Sequence, residues 1–278
     1  PECQTDYFYV GNKRDEESRT GITLVRCASG AVCATALPTK ATGGYVVDFF
    51  VNCLNEWGFR DVIIRSDQEL ALRAVLNGVK EKRAGQTLLE HSPKYSHQSV
   101  GHAEQANGAL ESQTRTLLDR IHHTTGKEVE SKSAVMAWGI RQAGWLLTRY
   151  RILSNGKTSY EMIKLKKYNG AVCEFGEVVH GRDARPTTLS NKAEIRWVEG
   201  LWLGKVEESD EHIIAPLDGS PAVKVRTVRR SPNETRWNAK AIQECNCYPW
   251  AANGERMLDT GVQTRRRYIT RGLVREHG

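Results

Sequence analysis

The sequence contains no long apolar run, no regularly spaced cysteine pairs and no internal repeat. No stretch approaches the roughly 20 consecutive apolar residues that a membrane-spanning helix needs, which excludes a role inside a bilayer. The seven cysteines are odd in number and scattered, so reduced thiols in an intracellular protein are expected rather than a disulfide framework. Cys245 and Cys247 have no His or Cys pair at finger spacing, which argues against a zinc site. What remains is the composition of a globular protein, 39% hydrophobic and 26% charged over 278 residues, long enough for one large and one small domain.

The net charge of +7 is concentrated near the end of the sequence. Residues 256–278 hold six arginines and two acids, a net charge of +4. A basic arm of this kind suits a polyanionic partner, because cations that neutralise phosphates release bound counterions. A solvated tail without a specific partner explains the same pattern. The sequence also begins at Pro1 without the layout of a signal peptide, which indicates a piece of a longer chain such as a polyprotein.

Residues 1–165 are predicted to form an α/β domain with a mixed sheet flanked by helices. A Ser29-Gly30 turn and alternating β-prone residues predict a three-stranded meander, and a buried strand at 61–65 ends just before Asp67. Apolar residues at helical spacing predict the helices. The predicted strands are 5–10, 23–28, 31–37, 61–65 and 87–90; the predicted helices are 46–57, 70–82, 102–122 and 133–150; residues 91–100 are predicted to be a mobile polar loop.

After Thr158 the pattern changes to short β-prone pieces separated by Gly, Pro and Asp turns. Residues 166–235 are therefore predicted to form a small, all-β, barrel-like module. Its strands are placed at 172–175, 177–179, 200–204, 212–217 and 222–228. Residues 236–278 are predicted to be an irregular basic tail.

Three carboxylates stand out because of the elements that carry them. Asp6 lies in the first strand, Asp67 at the end of the central strand, and Glu104 in the first turn of the helix after the polar loop. The gaps between them are 60 and 36 residues. Each acid taken alone is more often a solvated surface group. Convergence of all three at one sheet edge would give the hard oxygen donors that Mg²⁺ or Mn²⁺ prefers, and two such ions can promote in-line displacement at phosphorus.

The segment around the third acid resembles the retroviral integrase superfamily. Gly101, Glu104, Asn107 and Leu110 match that family's pattern in place, and Ser66-Asp67 followed by Glu69 is similar to its second-acid motif. Within the superfamily, residues 158–161 (Thr-Ser-Tyr-Glu) and 200–204 (Gly-Leu-Trp-Leu-Gly) resemble segments of copia-type retrotransposons. The resemblance covers about residues 3–165.

The resemblance implies a ribonuclease H-like fold and a metal-dependent polynucleotidyl transferase. Asp6, Asp67 and Glu104 would be the catalytic, metal-binding acids, holding two Mg²⁺ (or Mn²⁺) ions. The reactions would be 3′-end processing of element DNA and its strand transfer into target DNA, by a homo-oligomer assembled on DNA in the nucleus, without a membrane partner.

Departures from the family pattern affect residues that would bind DNA. His97 and Val100 stand where Pro and Gln are usual, and Gly108 and Glu111 stand where basic residues often follow the catalytic Glu. Arg115, one turn further along, could substitute for them. The residues predicted to contact nucleic acid are His97, Gln98, Asn107, Arg115, Arg226, Arg229, Arg230, Arg265, Arg266 and Arg267. For Arg226, Arg229 and Arg230, a plain solvated edge remains an equal alternative.

Other interpretations remain open at this stage. Glu111 could replace Glu104 as third acid, but its spacing from Asp67 does not fit. His91, His97 and His102 match no zinc-finger spacing, so loop or DNA-backbone contacts are favoured over a metal site. A related ribonuclease H-like nuclease or transposase would share the three acids, and a catalytically decayed relic would only bind DNA.

Overall fold

The computed structural model describes residues 1–11, 18–40, 44–92, 100–182 and 197–251. Its first sheet contains β1 (Glu2–Val10), β2 (Arg19–Arg26), β3 (Ala31–Ala36), β4 (Val62–Ser66) and β5 (Thr87–His91) in the order β3-β2-β1-β4-β5. The pairs β3-β2 and β2-β1 are antiparallel, whereas β1-β4 and β4-β5 are parallel. The predicted mixed α/β sheet flanked by helices is confirmed.

Helices cover both faces of the first sheet. The core helices are α1 (Gly44–Glu56), α2 (Leu70–Lys82), α3 (Gly101–Thr125) and α4 (Ala134–Tyr150). Side chains of β1 alternate between the faces, as strand geometry requires: Cys3 and Tyr7 pack with residues of α1 and α2, and Phe8 and Val10 pack with residues of α3 and α4. None of the helices among the described residues has the length and apolarity to cross a bilayer.

A second, antiparallel sheet follows the short helix α5 (Ser159–Lys164). It contains β6 (Val178–Arg182), β7 (Trp197–Lys205), β8 (His212–Pro216), β9 (Val223–Val225) and β10 (Val228–Arg230) in the order β10-β6-β7-β8-β9. Leu201 and Ile213 belong to the same apolar cluster as Trp138 and Ile140 of α4. The helix α4 is therefore buried between the two sheets, and the two parts of the chain share a core.

Three predictions about this second part are wrong. Residues 172–175 are not a strand: Cys173 and Phe175 are buried in different clusters, and the chain turns as Glu177 N–H donates to the Glu174 carbonyl at 3.1 Å. The predicted strand at 222–228 is two strands, β9 and β10, interrupted at residues 226–227. The tail is not irregular throughout, because residues 239–244 form α6 (Ala239–Glu244), whose cap Asn238 accepts from Ala241 N–H at 3.0 Å.

The segment after β10 packs on the core through aromatic side chains. Trp138 of α4 donates to the Cys247 carbonyl at 2.7 Å, and the Tyr248 hydroxyl donates to the Lys132 carbonyl at 2.9 Å. The Arg19 guanidinium lies over the rings of Tyr248 and Trp250. These contacts hold residues 247–250 against the core, within the stretch that was predicted to be an irregular tail. The basic residues 256–278 lie outside the described residues.

Candidate metal centre at the edge of the first sheet

The register of β1 and β4 brings Asp6 and Asp67 to one edge of the sheet. Thr5 pairs with Ser66, the last residue of β4, so Asp6 and Asp67 both follow a directly paired residue. Thr5 and Ser66 are fully buried, and the Thr5 hydroxyl donates to the Thr23 carbonyl at 2.6 Å. The pairing with Ser66 fixes β1 against β4, and the Thr5 hydroxyl bond fixes β1 against β2. The acids emerge where β4 ends, the position at which open α/β sheets place ligand sites.

Gln4 fixes the start of α3, and with it Glu104, against β1. The N-cap residue Val100 has no side chain that caps α3. Instead, the Gln4 carbonyl oxygen Oε1 accepts from His102 N–H at 3.0 Å and from Ala103 N–H at 3.4 Å. Gln4 is 4% exposed and lies two residues before Asp6, so both side chains point to the α3 face of β1. Sequence reasoning missed Gln4, because its partners lie almost a hundred residues away.

Asn107 holds Asp6 from the same helix. Its Nδ2 donates to Asp6 Oδ2 at 3.2 Å and to the Tyr7 carbonyl at 3.3 Å, while Tyr7 N–H donates to Asp6 Oδ1 at 2.8 Å. Asn107 lies one turn after Glu104 on α3, so this contact joins the third acid's helix to the first acid. Asn107 was predicted to contact nucleic acid; the structure shows it orienting Asp6.

Asp6 is electrostatically coupled to the other two acids. The pKa of the Asp6 carboxyl is raised to about 6, first by burial and then by the negative charges of Asp67, Glu104 and Glu69, while the Tyr7 N–H donation acts to lower it. The pairing of β1 with β4 and the bond from Asn107 of α3 to Asp6 place the acidic triad (Asp6, Asp67 and Glu104) on three elements that meet at this edge, within electrostatic range of Asp6. Asp67 and Glu104 are themselves exposed, and hence accessible to ions and substrate.

The donor set fits a divalent cation, although its side chains do not already form a coordination shell. Within the described ranges, no group of three His, Cys, Asp or Glu side chains lies close enough together to hold a metal ion. Clustered carboxylates suit Mg²⁺, and a cation would offset the mutual repulsion that raises the Asp6 pKa. Among the described residues, the buried Asn107 Oδ1 has no hydrogen-bond partner, while the Nδ2 of the same amide contacts Asp6.

A lysine that the sequence analysis did not select lies beside the acidic triad. Lys40 Nζ is 2.7 Å from Glu69 Oε1, and Glu69 is one of the charges acting on Asp6. The same ammonium group lies 5.0 Å from the ring centroid of Tyr7 and 5.5 Å from that of Tyr9. Since Lys40 follows β3 and Glu69 precedes α2, only the folded chain brings them together.

The arginines predicted as a phosphate-binding patch on the second sheet are separately engaged. Arg226 pairs with Glu211 at 3.3 Å, and the Arg229 guanidinium lies 4.6 Å from the Trp197 ring centroid. Arg230 pairs with the fully buried Glu177 at 2.6 Å and with Glu174 at 3.0 Å. Arg230 therefore has a structural role as the partner of a buried carboxylate. His97, Gln98, Arg265, Arg266 and Arg267 lie outside the described residues.

Arg115 lines a cavity of about 880 Å³ between the end of β1, α3 and the start of α4. Glu111, Asp119 and Glu128 share its lining, so Arg115 sits in mainly acidic surroundings. Val10, Leu118, Val129 and Met136 contribute apolar surface. This cavity is separate from the acidic triad, none of whose members lines it.

Replacing Gln4 tests how α3 is positioned. In Gln4→Leu the amides of His102 and Ala103 lose their acceptor, and we expect a loss of about 1–2 kcal/mol in the free energy of unfolding. In Gln4→Glu an acceptor remains and its negative charge suits a helix N-terminus, but the carboxylate is buried and faces Glu2, so only part of this stability should be retained. Chemical denaturation of both variants measures the difference; equal stability of Gln4→Leu and the wild type would show that Gln4 does not fix α3.

Comparison with known proteins gives structural similarity only. No protein-family model and no curated protein matches this sequence. A chain of the simian T-cell lymphotropic virus intasome, solved with the PP2A regulatory subunit B56 gamma, is similar with a TM-score of 0.44 and 16% identity over 83% of this chain and 78% of that one. The HTLV-2 integrase catalytic core domain in complex with magnesium (trimeric form) has a TM-score of 0.41 and 16% identity over 58% and 95%. The catalytic core domain of BIV integrase has a TM-score of 0.39 and 19% identity over 59% and 93%.

Two of these three structures are retroviral integrase cores. All three TM-scores are below 0.5 and all identities are below 25%. The assignment of a function therefore rests on the chain's own residues and on the edge of the sheet that they share.

Proposed function

We propose that this chain is the catalytic core of a retroviral-type integrase, acting as a metal-dependent polynucleotidyl transferase. One observation carries the proposal: Asp6, Asp67 and Glu104 come from three separate elements, and the pairing of β1 with β4 and the Asn107–Asp6 hydrogen bond bring these elements together at one sheet edge. The motif around Glu104 and the order of the sheet support the same interpretation. More specifically, we propose that the chain comes from a copia-type element and that a small β module follows the catalytic core.

The residues present would hold two Mg²⁺ or Mn²⁺ ions through the acidic triad. When bound, such a pair of ions activates an attacking oxygen and stabilises the leaving oxygen of an in-line displacement. The chain's own contribution is to hold the ligands: Tyr7 N–H and Asn107 fix Asp6, and Gln4 fixes the helix that carries Glu104. No side chain is assigned as general base.

The reaction proposed is a pair of displacements at one site. Water first attacks a phosphodiester near the 3′ end of element DNA, which frees a 3′-hydroxyl. That hydroxyl then attacks a phosphodiester of target DNA, so the new bond replaces the broken one without a covalent enzyme intermediate. A homo-oligomer on DNA ends, acting in the nucleus on genomic DNA, is part of the proposal.

Incubating the purified chain with paired linear DNA ends, a second duplex and Mg²⁺ tests this function. Joined products are expected, because an integrase transfers free ends into another duplex without a preceding excision. Cleavage without joining would favour a ribonuclease H-like nuclease. In a parallel reaction with the same ends embedded in flanking DNA, joining from this donor alone would favour a cut-and-paste transposase. Binding without any chemistry would indicate a decayed DNA-binding relic. Each of these three outcomes overturns the proposed activity.

A further inference from the structure

The strand that carries Asp6 leaves one edge open beyond the acid. Thr5 is the last residue of β1 paired with β4, and from Asp6 to Val10 the strand pairs with β2 alone among the described strands. Tyr9 lies on this open stretch, three residues after Asp6, and is 50% exposed. By strand alternation its side chain projects from the face of β1 opposite to Asp6, on the side where Lys40 lies. A half-exposed aromatic ring offers a flat apolar surface that a nucleic-acid base can stack on.

Lys40 places a positive charge next to this ring. Its ammonium group is 5.5 Å from the Tyr9 ring centroid and 2.7 Å from Glu69 Oε1. The side chains of Lys40 and Glu69 are 38% and 37% exposed. An ion pair so accessible to water adds little stability, so Lys40 can exchange its carboxylate partner for another anion at small cost.

Lys40 lies next to a group of acidic residues. Asp6, Asp67, Glu69 and Glu104 bring four negative charges to one region, and all of the last three act on Asp6. A phosphodiester strand approaching them is repelled unless cations neutralise it. Arg115 of α3 lines a cavity together with three acids, and Tyr9 lies at its border. Lys40 does not line this cavity and instead contacts Glu69, a member of the acidic group itself.

We propose that Lys40 and Tyr9 form a contact site for the DNA strand entering the acidic triad: Lys40 leaves Glu69 to bind a backbone phosphate, and the Tyr9 ring supports an unstacked base of the same strand. This inference rests on the proposed function and extends it to substrate positioning. The ligand class is a DNA end with an unpaired terminal nucleotide. The two residues position substrate and take no part in the chemistry.

DNA binding in EDTA tests the role of Lys40 without metal or turnover. Fluorescence anisotropy is measured over a range of salt concentrations with a labelled duplex that carries a short single-stranded overhang. Lys40→Gln is expected to weaken binding severalfold and to reduce the salt slope by about 1, the value for one lost phosphate contact. Lys40→Arg should restore both. The matched control is Lys164→Gln, which removes the same charge from a similarly exposed pair with Glu56.

The Tyr9 ring is tested with the same duplex and with a second duplex whose overhang is abasic. Tyr9→Leu is expected to weaken binding about fivefold or more on the first duplex and to leave the second unaffected, because only the first has a base to stack. Tyr9→Phe should rescue the loss. The control Tyr150→Leu removes a ring of nearly equal exposure, 47%, from another surface.

The outcomes separate this inference from the proposed function. An unchanged salt slope in Lys40→Gln, an equal effect in Lys164→Gln, or a Tyr9→Leu loss that persists on the abasic duplex overturns the contact site, even if the wild type joins DNA. A chain that shows the expected binding losses but never joins DNA keeps the contact site and loses the integrase function.

Discussion

The Asp67→Asn variant should lose both 3′ processing and strand transfer, by on the order of 10³-fold or more. The amide keeps the shape of the side chain but removes the charge needed to hold a divalent cation, and losing several kcal/mol of transition-state stabilisation gives a rate change of this size. Asp67 is exposed at the end of β4, so the free energy of unfolding should change by no more than about 0.5 kcal/mol. Gel assays of cleaved and joined products under single-turnover conditions measure the loss.

Two matched controls make this result specific. Asp61 lies just before the other end of β4, and its Oδ1 accepts from Gln86 N–H at 2.9 Å, a bond that Asp61→Asn retains. Glu111 lies two turns after Glu104 on α3, so Glu111→Gln tests the alternative third acid. Both controls should keep near wild-type activity, whereas Glu104→Gln should not. An active Asp67→Asn, or an inactive Glu111→Gln beside an active Glu104→Gln, would reject the assignment.

The Asp6→Asn variant should lose activity and yet be more stable than the metal-free wild type at neutral pH. Burial and the neighbouring acids raise the Asp6 pKa from 3.8 to about 6, so the charged form is disfavoured in the folded state. The full pKa shift corresponds to about 3 kcal/mol. Solvent screening of this half-buried group reduces the gain in the free energy of unfolding expected for Asp6→Asn to about 1–2 kcal/mol. The Asn107 amide must turn to accommodate the new side chain, which lowers the gain further.

The stability difference between the wild type and Asp6→Asn changes with pH in a defined direction. Because the folded-state pKa is raised, the folded chain holds the Asp6 proton more tightly than the unfolded chain does. The wild type therefore loses stability relative to Asp6→Asn as pH rises from about 4 through about 6, and the difference is constant above that range. Added Mg²⁺ should raise the melting temperature of the wild type and leave that of Asp6→Asn unchanged. Thermal unfolding of both proteins at several pH values measures both effects; a difference that grows toward acid would contradict the account.

Local pattern was sufficient to predict the five strands of the first sheet, although β2 runs from Arg19 to Arg26 and not over 23–28 as predicted. Burial of one face of an element produces a periodic apolar pattern, whichever residues lie against that face. The patterns used were the alternation in β1, the apolar run at 62–64 and the helical spacing in α1 and α4. The helix α5 was missed although Thr158 and Glu161 form a capping box, with Thr158 Oγ1 accepting from Glu161 N–H at 3.1 Å. That signature was read as part of a family motif and not as a helix start.

The supporting residues of the site could not be predicted in the same way. Gln4 is an ordinary polar residue in a strand until the fold brings the start of α3 against it. Lys40 and Glu69 are separated by 29 positions and meet only because α2 starts beside the end of β3. Likewise Arg230, predicted to bind phosphate, is bound by Glu177, which is fully buried and reads in the sequence as a surface acid. Such long-range polar contacts leave no periodic pattern in the sequence, so they can be recognised only in the folded chain.

Anomalous diffraction from crystals soaked in Mn²⁺ tests the metal centre most directly. The account predicts peaks at the edge of the first sheet with oxygen ligands from Asp6, Asp67 and Glu104, and their loss in Asp67→Asn. Peaks at other carboxylates, or an edge that stays empty at saturating Mn²⁺ with DNA bound, would contradict it.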